Sequence, residues 1–376
     1  MTFIRKNLLL ILFFLFILGF SLADILTPDR IFSDTENRYL AQNPKFTLSS
    51  LMDNSFGLKY EEYINDQFVG RDNWIDIKSY TEFALAKIEN NGITYGKDHY
   101  LFEKYQKVDE AKLENNIRYL QEYLAMYNYP KATLAIIPNS YMILNDKVPA
   151  GLNNVDQFTY IASIYEKMQE NNLTTLDFKT VLQEHKNEYI YYRTDHHWTT
   201  YGAYLAYREY ALSKGLTPVE YTALEGHDVL DFYGTYYSKT KNFNAVPDVI
   251  TYFDVPVDSV EIDGSPVDGI YDLKKFEERD KYAAFLRGNN GLTVIRSGQN
   301  HNHQDGKTSR VMVIKDSYGN SFVPYLTYNY DEVYVVDLRA LPNTMKLLME
   351  TDFDDILILY NFMNFTNDVN IAKLRY

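Results

Sequence analysis

The 376-residue chain contains no cysteine. Disulfides, thiolate metal sites and thiol nucleophiles are therefore excluded. Positive charge is in short supply: 37 Lys and Arg stand against 51 Asp and Glu, a net charge of −14. Nucleic-acid binders present concentrated positive charge, so no nucleic acid is expected as a partner. The same balance argues against a surface held to anionic lipid by charge alone. Histidine is scarce, seven in all, and no internal repeat or low-complexity tract stands out.

What is present begins with a basic and then apolar amino terminus. Arg5 and Lys6 precede an unbroken apolar run from Leu8 to Phe20, followed by Ser21-Leu22-Ala23. A basic start, an apolar core and small residues at the last and third-last positions describe a secretory signal. The run is shorter than the ~20 residues of a comfortable membrane span. A cleaved signal and a retained anchor over residues 1–23 both fit, and either places the remainder outside the cytoplasm. That remainder carries 35 basic against 51 acidic groups, a net −16. With 46% hydrophobic and 23% charged residues, it is expected to fold around a substantial core. The 35 tyrosines and 22 phenylalanines supply sugar-stacking platforms or reflect a coding bias; composition leaves both readings open.

Residues 24–90 form an irregular or helical lead-in. From there the pattern predicts alternating strands and helices over 91–376. Leu113, Ile117, Leu120 and Leu124 recur at helical spacing, and Asn128-Tyr129-Pro130 stops that helix. "ATLAIIP" then has the look of a buried strand. A second helix carries Phe158, Ile161, Tyr165 and Met168 on one face. "LTTLDF" and "EYIYYR" are predicted strands, and a helix runs from about Thr200 to Ser213. The theme returns in "RVMVIKD", "EVYVVDL" and "DILILY" as strands, with "LPNTMKLLME" as a helix. Apolar strands alternating with amphipathic helices predict a parallel sheet covered on both faces. Residues 216–300 interrupt the rhythm and are expected to be an insertion with β content, including a hairpin turn at Asp263-Gly264.

Ligands of open α/β sheets bind beyond the carboxyl ends of the strands. Those ends bring Asn139 and Ser140, then Asp195, His196 and His197, then Asp316 and Ser317, then Arg339, and finally Asn361. Serine, histidine and aspartate converging on one sheet edge form the inventory of an acyl-transfer site, and it calls for no cofactor. In an extended segment, residues i and i+2 project to one side, about 6.5 Å apart. Asp195 and His197 are thus expected to face together while His196 points away. Thr199 or Thr200 would cap the following helix.

Ser317 sits in "RVMVIKDSYGNSFVPYL", a strand running into a sharp turn. Its helix is expected to start near Asn320 or Ser321, because proline is tolerated only in a first turn. Backbone N–H groups at that start can bind an oxyanion. Duller readings stand beside these. Asp195 and Ser317 suit turns or helix caps, and His197 suits a buried core position. Metal binding through Asp195, His196 and His197 lacks further ligands, since alternation leaves only two on one face. Ser140 is a rival nucleophile without an acidic neighbour or a glycine-containing turn. Lys239 suits either an anionic substrate or a solvated loop, and Trp198 suits packing.

"TDHHWTTYGAYLAY" together with "VMVIKDSYGNSFVPYL" resembles the DHHW family of exported bacterial proteins. That family is similar to the alginate O-acetylation proteins and, through them, to the SGNH hydrolase/acyltransferase superfamily. "DTENRYLAQNPKF", "TYGKDHYLF", "IIPNSYMIL", "DFYGTYYSKT" and "YAAFLRGNN" fit the same family, so the resemblance covers nearly the whole exported chain. It implies a flavodoxin-like three-layer α/β/α sheet, with Ser317 as nucleophile, His197 as general base and Asp195 as its orienter. It also implies O-acylation of an extracellular or envelope polysaccharide, often beside a membrane-bound O-acyltransferase that supplies the acyl group. An esterase with the same residues, or a non-catalytic polysaccharide-binding assembly protein, are the alternatives. The chain departs from ordinary SGNH enzymes in two respects. The Asp/His pair precedes the serine, and Lys315 stands in a glycine's place. Tyr318, Gly319, Asn320, Asn139 and Asn289 are candidates for the oxyanion hole, and Arg339 and Asn361 for substrate contacts.

Overall fold

The computed structural model describes residues 6–33, 36, 38–127, 132–169, 173–298, 300–302, 307–341 and 351–375. The chain divides into two compact units, Met1–Asn90 with Ser238–Phe243, and Asn91–Tyr237 with Asn244–Tyr376. In the first unit a helix spans Leu8–Leu26, 19 residues of mean hydropathy 2.7 and unburied throughout, long and apolar enough to cross a membrane. It runs six residues beyond the apolar stretch ending at Phe20. The lead-in is folded and mostly helical, with helices at Ser55–Gln67 and Arg71–Ala84. The buried Asp66 accepts a fork from Arg38 at 2.8 and 2.5 Å and the Ala41 N–H at 2.8 Å.

The second unit is built on one sheet of eight strands among the described residues. In chain order these are β1 (Ala132–Ile137), β2 (Thr174–Leu176), β3 (Ser259–Ile262), β4 (Ser265–Val267), β5 (Leu292–Arg296), β6 (Arg310–Lys315), β7 (Glu332–Val336) and β8 (Asp355–Asn361). Their spatial order is β4-β3-β5-β7-β6-β8-β1-β2. The segment β7-β6-β8-β1-β2 is parallel, with Val313 opposite both Val335 and Leu357. β5, β3 and β4 extend it antiparallel.

Period-2 side-chain alternation divides the apolar runs between two cores. Ala135, Ile137, Val311, Val313, Leu357 and Leu359 share one core with residues of α3 (Thr200–Ser213) and α4 (Gly319–Leu326). Leu134, Ile136, Met312, Ile314, Ile356 and Ile358 share the other with α1 (Glu110–Tyr127), α2 (Gln157–Gln169) and α5 (Phe362–Asn367). The result is a three-layer α/β/α unit. The predicted faces of α1 and α2 are those that pack: Leu113, Ile117, Leu120 and Leu124 are buried, as are Ile161, Tyr165 and Met168. Within residues 216–300, β3 and β4 join through Asp263 and Gly264, both at positive φ (47° and 81°), as a primed hairpin turn requires. Gly226–Phe232 and Asp248–Phe253 form a separate two-stranded ribbon.

Two expectations differ from the structure, and two fall outside the described residues. "EYIYYR" is not a strand; only the bridge Tyr191–Trp198 forms there. Its alternation is genuine, since Tyr191 and Tyr192 are both buried but in different cores, yet its backbone pairs locally rather than with the sheet. The Ile190 N–H goes to Glu188 and the Ile190 carbonyl to Thr199. α4 begins at Gly319 and contains Pro324 past its first turn. The helix expected over 341–350, and the Asn128-Tyr129-Pro130 stop, lie outside the described residues.

Gly202, in the first turn of α3, marks where that helix meets the chain leading to the histidine pair. A Cβ there would overlap the Ile190 carbonyl oxygen and lie 3.2 Å from Trp198 Cβ. Gly202→Ala is expected to cost about 1–3 kcal/mol by overpacking. The measure is a lower urea midpoint at unchanged m-value.

Candidate active site

Residues 191–198 make a loop of bends that leaves the bridge at Tyr191 and returns to it at Trp198. Backbone bonds close it, Tyr192 N–H to the His197 carbonyl at 3.3 Å and Thr199 N–H to Ile190 at 2.9 Å. The buried Asp248 anchors the near side, accepting the N–H groups of Arg193 and Thr194 at 2.8 Å each and the Thr194 hydroxyl at 2.5 Å. At the far side Thr199 caps α3, its hydroxyl accepting the Gly202 N–H.

Inside this loop Asp195 Oδ1 accepts the His197 backbone N–H at 3.0 Å and pairs with His197 Nδ1 at 2.6 Å. His197 Nε2 lies 2.8 Å from Ser317 Oγ. Asp195, His197 and Ser317 are thus hydrogen-bonded in series. An extended segment would place Asp195 and His197 on one face. The structure brings the two together by a turn instead, in which the carboxylate also holds the His197 N–H. His196 does not point away: its ring centroid is 3.7 Å from that of His197.

Asp195 is 2% exposed, a position that disfavours an unsatisfied charge. Its second oxygen accepts the Thr235 N–H at 2.8 Å and the Thr235 hydroxyl at 3.0 Å. A carboxylate only accepts, so the hydroxyl donates to Asp195 and accepts from His196 Nδ1–H at 2.7 Å. Burial pushes the Asp195 carboxyl up, but the neighbouring His196 and His197 rings and these donors overcome it and hold it below the usual range. Asp195 therefore stays an anion that fixes the imidazole's tautomer and orientation. Gly234 permits the approach, because a Cβ at that position would overlap the Asp195 side chain.

Ser317 leaves β6 through a pinned turn. The buried Asp316 accepts the Tyr318 N–H at 2.9 Å, the Asn361 N–H at 2.7 Å and Asn364 Nδ2 at 2.8 Å. Burial raises its carboxyl despite these donors. Lys315, in the place expected of a glycine, is fully buried. Burial lowers its ammonium while Asp337 opposes. Its Nζ donates to Asn320 Oδ1 at 2.6 Å, Asp337 at 3.2 Å and Asn289 Oδ1 at 3.3 Å. The lysine stem runs under Gly319, where a Cβ would lie 2.7 Å from Lys315 Cβ. Trp198 is more than packing: Nε1 donates to the Tyr318 carbonyl at 3.0 Å and Ser321 Oγ at 3.1 Å, tying the histidine loop to α4.

The remaining candidates divide. The N–H groups of Tyr318, Gly319 and Asn320 are taken by Asp316 Oδ1, the Asp316 carbonyl and the Ser317 carbonyl. Among the hydrogen bonds of the described residues, the Ser317 N–H has no acceptor. Asn139 is bound to Gln157 and reaches the Tyr318 hydroxyl at 3.4 Å. Asn289 and Asn320 bond each other at 3.2 Å. Arg339 forks onto Asp337 at 2.8 and 2.5 Å. Asn361 caps α5 and donates to the Ile137 carbonyl, a structural duty. Ser140 is buried at the start of a four-residue helix, and Lys239 is an exposed residue of the other unit. Asp195, His196 and His197 present ligand atoms within 4.8 Å of one another. With both His197 nitrogens engaged, a cation there would have to break the series.

Sequence reasoning missed Gly234, Thr235, Asp248 and Tyr282. Tyr282 stacks on His197 with ring centroids 3.8 Å apart and planes 11° from parallel. "DFYGTYYSKT" and "YAAFLRGNN" contained the signal for Gly234, Thr235 and Tyr282, without any chemistry to point to them.

Residues 98–336 match the family described as DHHW protein. The structure superposes on a DHHW family protein from Eubacterium siraeum with a TM-score of 0.65 at 22% identity, covering 76% of this chain and 96% of the other. Bacillus cereus PatB1, solved with a sulfonyl adduct, gives 0.59 at 16% identity over 76% and 98%. The O-acetyltransferase domain of Pseudomonas putida AlgJ gives 0.47 at 15% over 76% and 98%. The first two likenesses are of fold, the three-layer α/β/α sheet. No curated protein matches the chain by sequence.

Gly234→Ala should displace Asp195 and slow sulfonyl-fluoride labelling of Ser317 by about 10-fold or more, with the fold retained. Thr235→Val removes the bond from His196 and the charge-assisted bond to Asp195, the latter about 1.5–3 kcal/mol, and is expected to slow labelling by up to about 100-fold. Intact-mass labelling rates check both.

Proposed function

The chain belongs to the DHHW family, and we propose that this member is an extracytoplasmic serine O-acyltransferase. Its reaction is O-acetylation of a cell-envelope or secreted polysaccharide. The observation that carries this reading is the bonded series Asp195–His197–Ser317, with 2.6 and 2.8 Å between successive partners. A non-catalytic binding protein has no use for such a series, and the short His197–Ser317 distance favours chemistry.

His197 Nε2 takes the Ser317 proton as Oγ attacks the acyl carbonyl. The tetrahedral intermediate collapses, the leaving group takes that proton, and the acyl group remains as an ester on Ser317. A sugar hydroxyl then gives its proton to His197 and attacks the ester. Collapse releases the O-acylated sugar and returns the proton to Ser317. Asp195 stabilises the imidazolium formed in each half. The unengaged Ser317 N–H is suited to donate to the oxyanion. The apolar helix Leu8–Leu26 supports export as a signal or an anchor, and a membrane-bound O-acyltransferase fits as acyl supplier. An esterase would use the same residues with water as acceptor.

Ser317→Ala is expected to lower kcat by about 10⁶, measured with a chromogenic acetyl ester; unchanged turnover would falsify the reading. Adding an oligosaccharide should shift the acetyl group to the acceptor, detected as a mass increase of one acetyl. Release of acetate alone, at every acceptor tried, would leave an esterase.

A further inference from the structure

We propose that Tyr282 is a positioning residue for His197, clamping the imidazole from one face and stabilising the imidazolium formed when Ser317 gives up its proton. This inference rests on the acyl-transfer reading of the site. Bonds to Asp195 Oδ1 and Ser317 Oγ lie near the plane of the imidazole, so they set its direction but resist tilting out of that plane only weakly. Out-of-plane restraint comes from the neighbours. Tyr282 covers one face, with centroids 3.8 Å apart and planes at 11°. The His196 ring is 3.7 Å away at 38°, and Tyr318 stands at 4.9 Å and 56°.

Tyr282 also holds the nucleophile's backbone. Its hydroxyl donates to the Ser317 carbonyl at 3.0 Å and lies 3.1 Å from Ser321 Oγ. One side chain therefore touches both the base and the turn that carries the nucleophile. It is 4% exposed and sits in a short 3-10 turn, Lys281–Ala284, whose other residues make no bond to the series. Burial pushes its phenol well up, which keeps the hydroxyl a neutral donor. A neutral phenol ring presents its negative face to the imidazole, and a cation over such a face is stabilised. The titratable and charged groups facing His197 are Asp195 and His196 from its own loop, Tyr318 from the start of α4, and Tyr282 from the insertion.

The test is the second-order rate of Ser317 labelling by phenylmethanesulfonyl fluoride on the full chain, followed by intact mass across pH. Tyr282→Phe keeps the ring but loses the bond to the Ser317 carbonyl; it should keep the acid limb of the unaltered protein, with its rate lowered less than in the Leu variant. Tyr282→Leu should react at least about 10-fold more slowly. Its acid limb should also move to lower pH by about half a unit, the size a modest cation–ring attraction supports. A Leu variant with unchanged rate, or a slower one with an unmoved limb, overturns the proposal; the latter would make Tyr282 a packing residue. If the Leu variant does not fold, a trifluorinated phenylalanine at position 282 replaces it. Its electron-poor ring should lower the limb relative to Tyr282→Phe, and an unmoved limb again overturns the assignment. Failure here with Ser317→Ala still inactive would leave the acyl-transfer reading standing.

Discussion

The site is organised around the need to satisfy one buried carboxylate. Asp195 is nearly inaccessible to water, and a lone anion there would be costly. The chain meets that demand with the His197 backbone N–H and Nδ1 on one oxygen and the Thr235 N–H and hydroxyl on the other. Each donor imposes a condition. The two from His197 fold residues 195–197 into a turn. The two from Thr235 bring a distant segment against that turn, close enough that only glycine fits at position 234. The resulting orientation leaves His197 Nε2 facing Ser317.

A second buried network holds the turn that carries Ser317. Lys315 and Asp337 neutralise each other beneath α4, and Asn320, Asn289 and Arg339 complete their bonds. Such a network is weak evidence for stability, but it is well placed to keep the turn at Ser317 in one geometry. Several residues that looked available for substrate from their sequence positions, Asn320 and Arg339 among them, are occupied in this way. Trp198 and Tyr282 then join the two networks, the first by its indole N–H and the second by ring and hydroxyl. The Asp195–His197 pair and Ser317 come from separate parts of the chain, yet their relative placement rests on a few cross-bonds.

Much of the fold was legible because strand and helix periodicities leave a direct imprint. The buried faces of α1 and α2 and the parallel strands β1, β6, β7 and β8 follow from spacing and apolar runs. "EYIYYR" misled because burying neighbouring tyrosines in two cores leaves the same alternation as a strand. Pro324 misled in the other direction. The helix around it starts with tight 3-10-type bonds from Gly319 and Asn320, and the missing N–H is tolerated farther in.

The sequence by itself determined which residue types meet, because the strand end before Ser317 is readable and the polar run from Asp195 to His197 follows an apolar segment that resembles a strand. It also determined the absence of thiol chemistry and the apolar amino-terminal segment. Only the tertiary structure decided how Asp195 meets His197, that His196 lies beside rather than opposite it, and that Gly234, Thr235, Asp248 and Tyr282 belong to the site. The reason is physical. Spacing along the chain encodes local geometry, whereas a buried charge and a stacked ring are satisfied by whatever segment the fold brings near, from any distance in sequence.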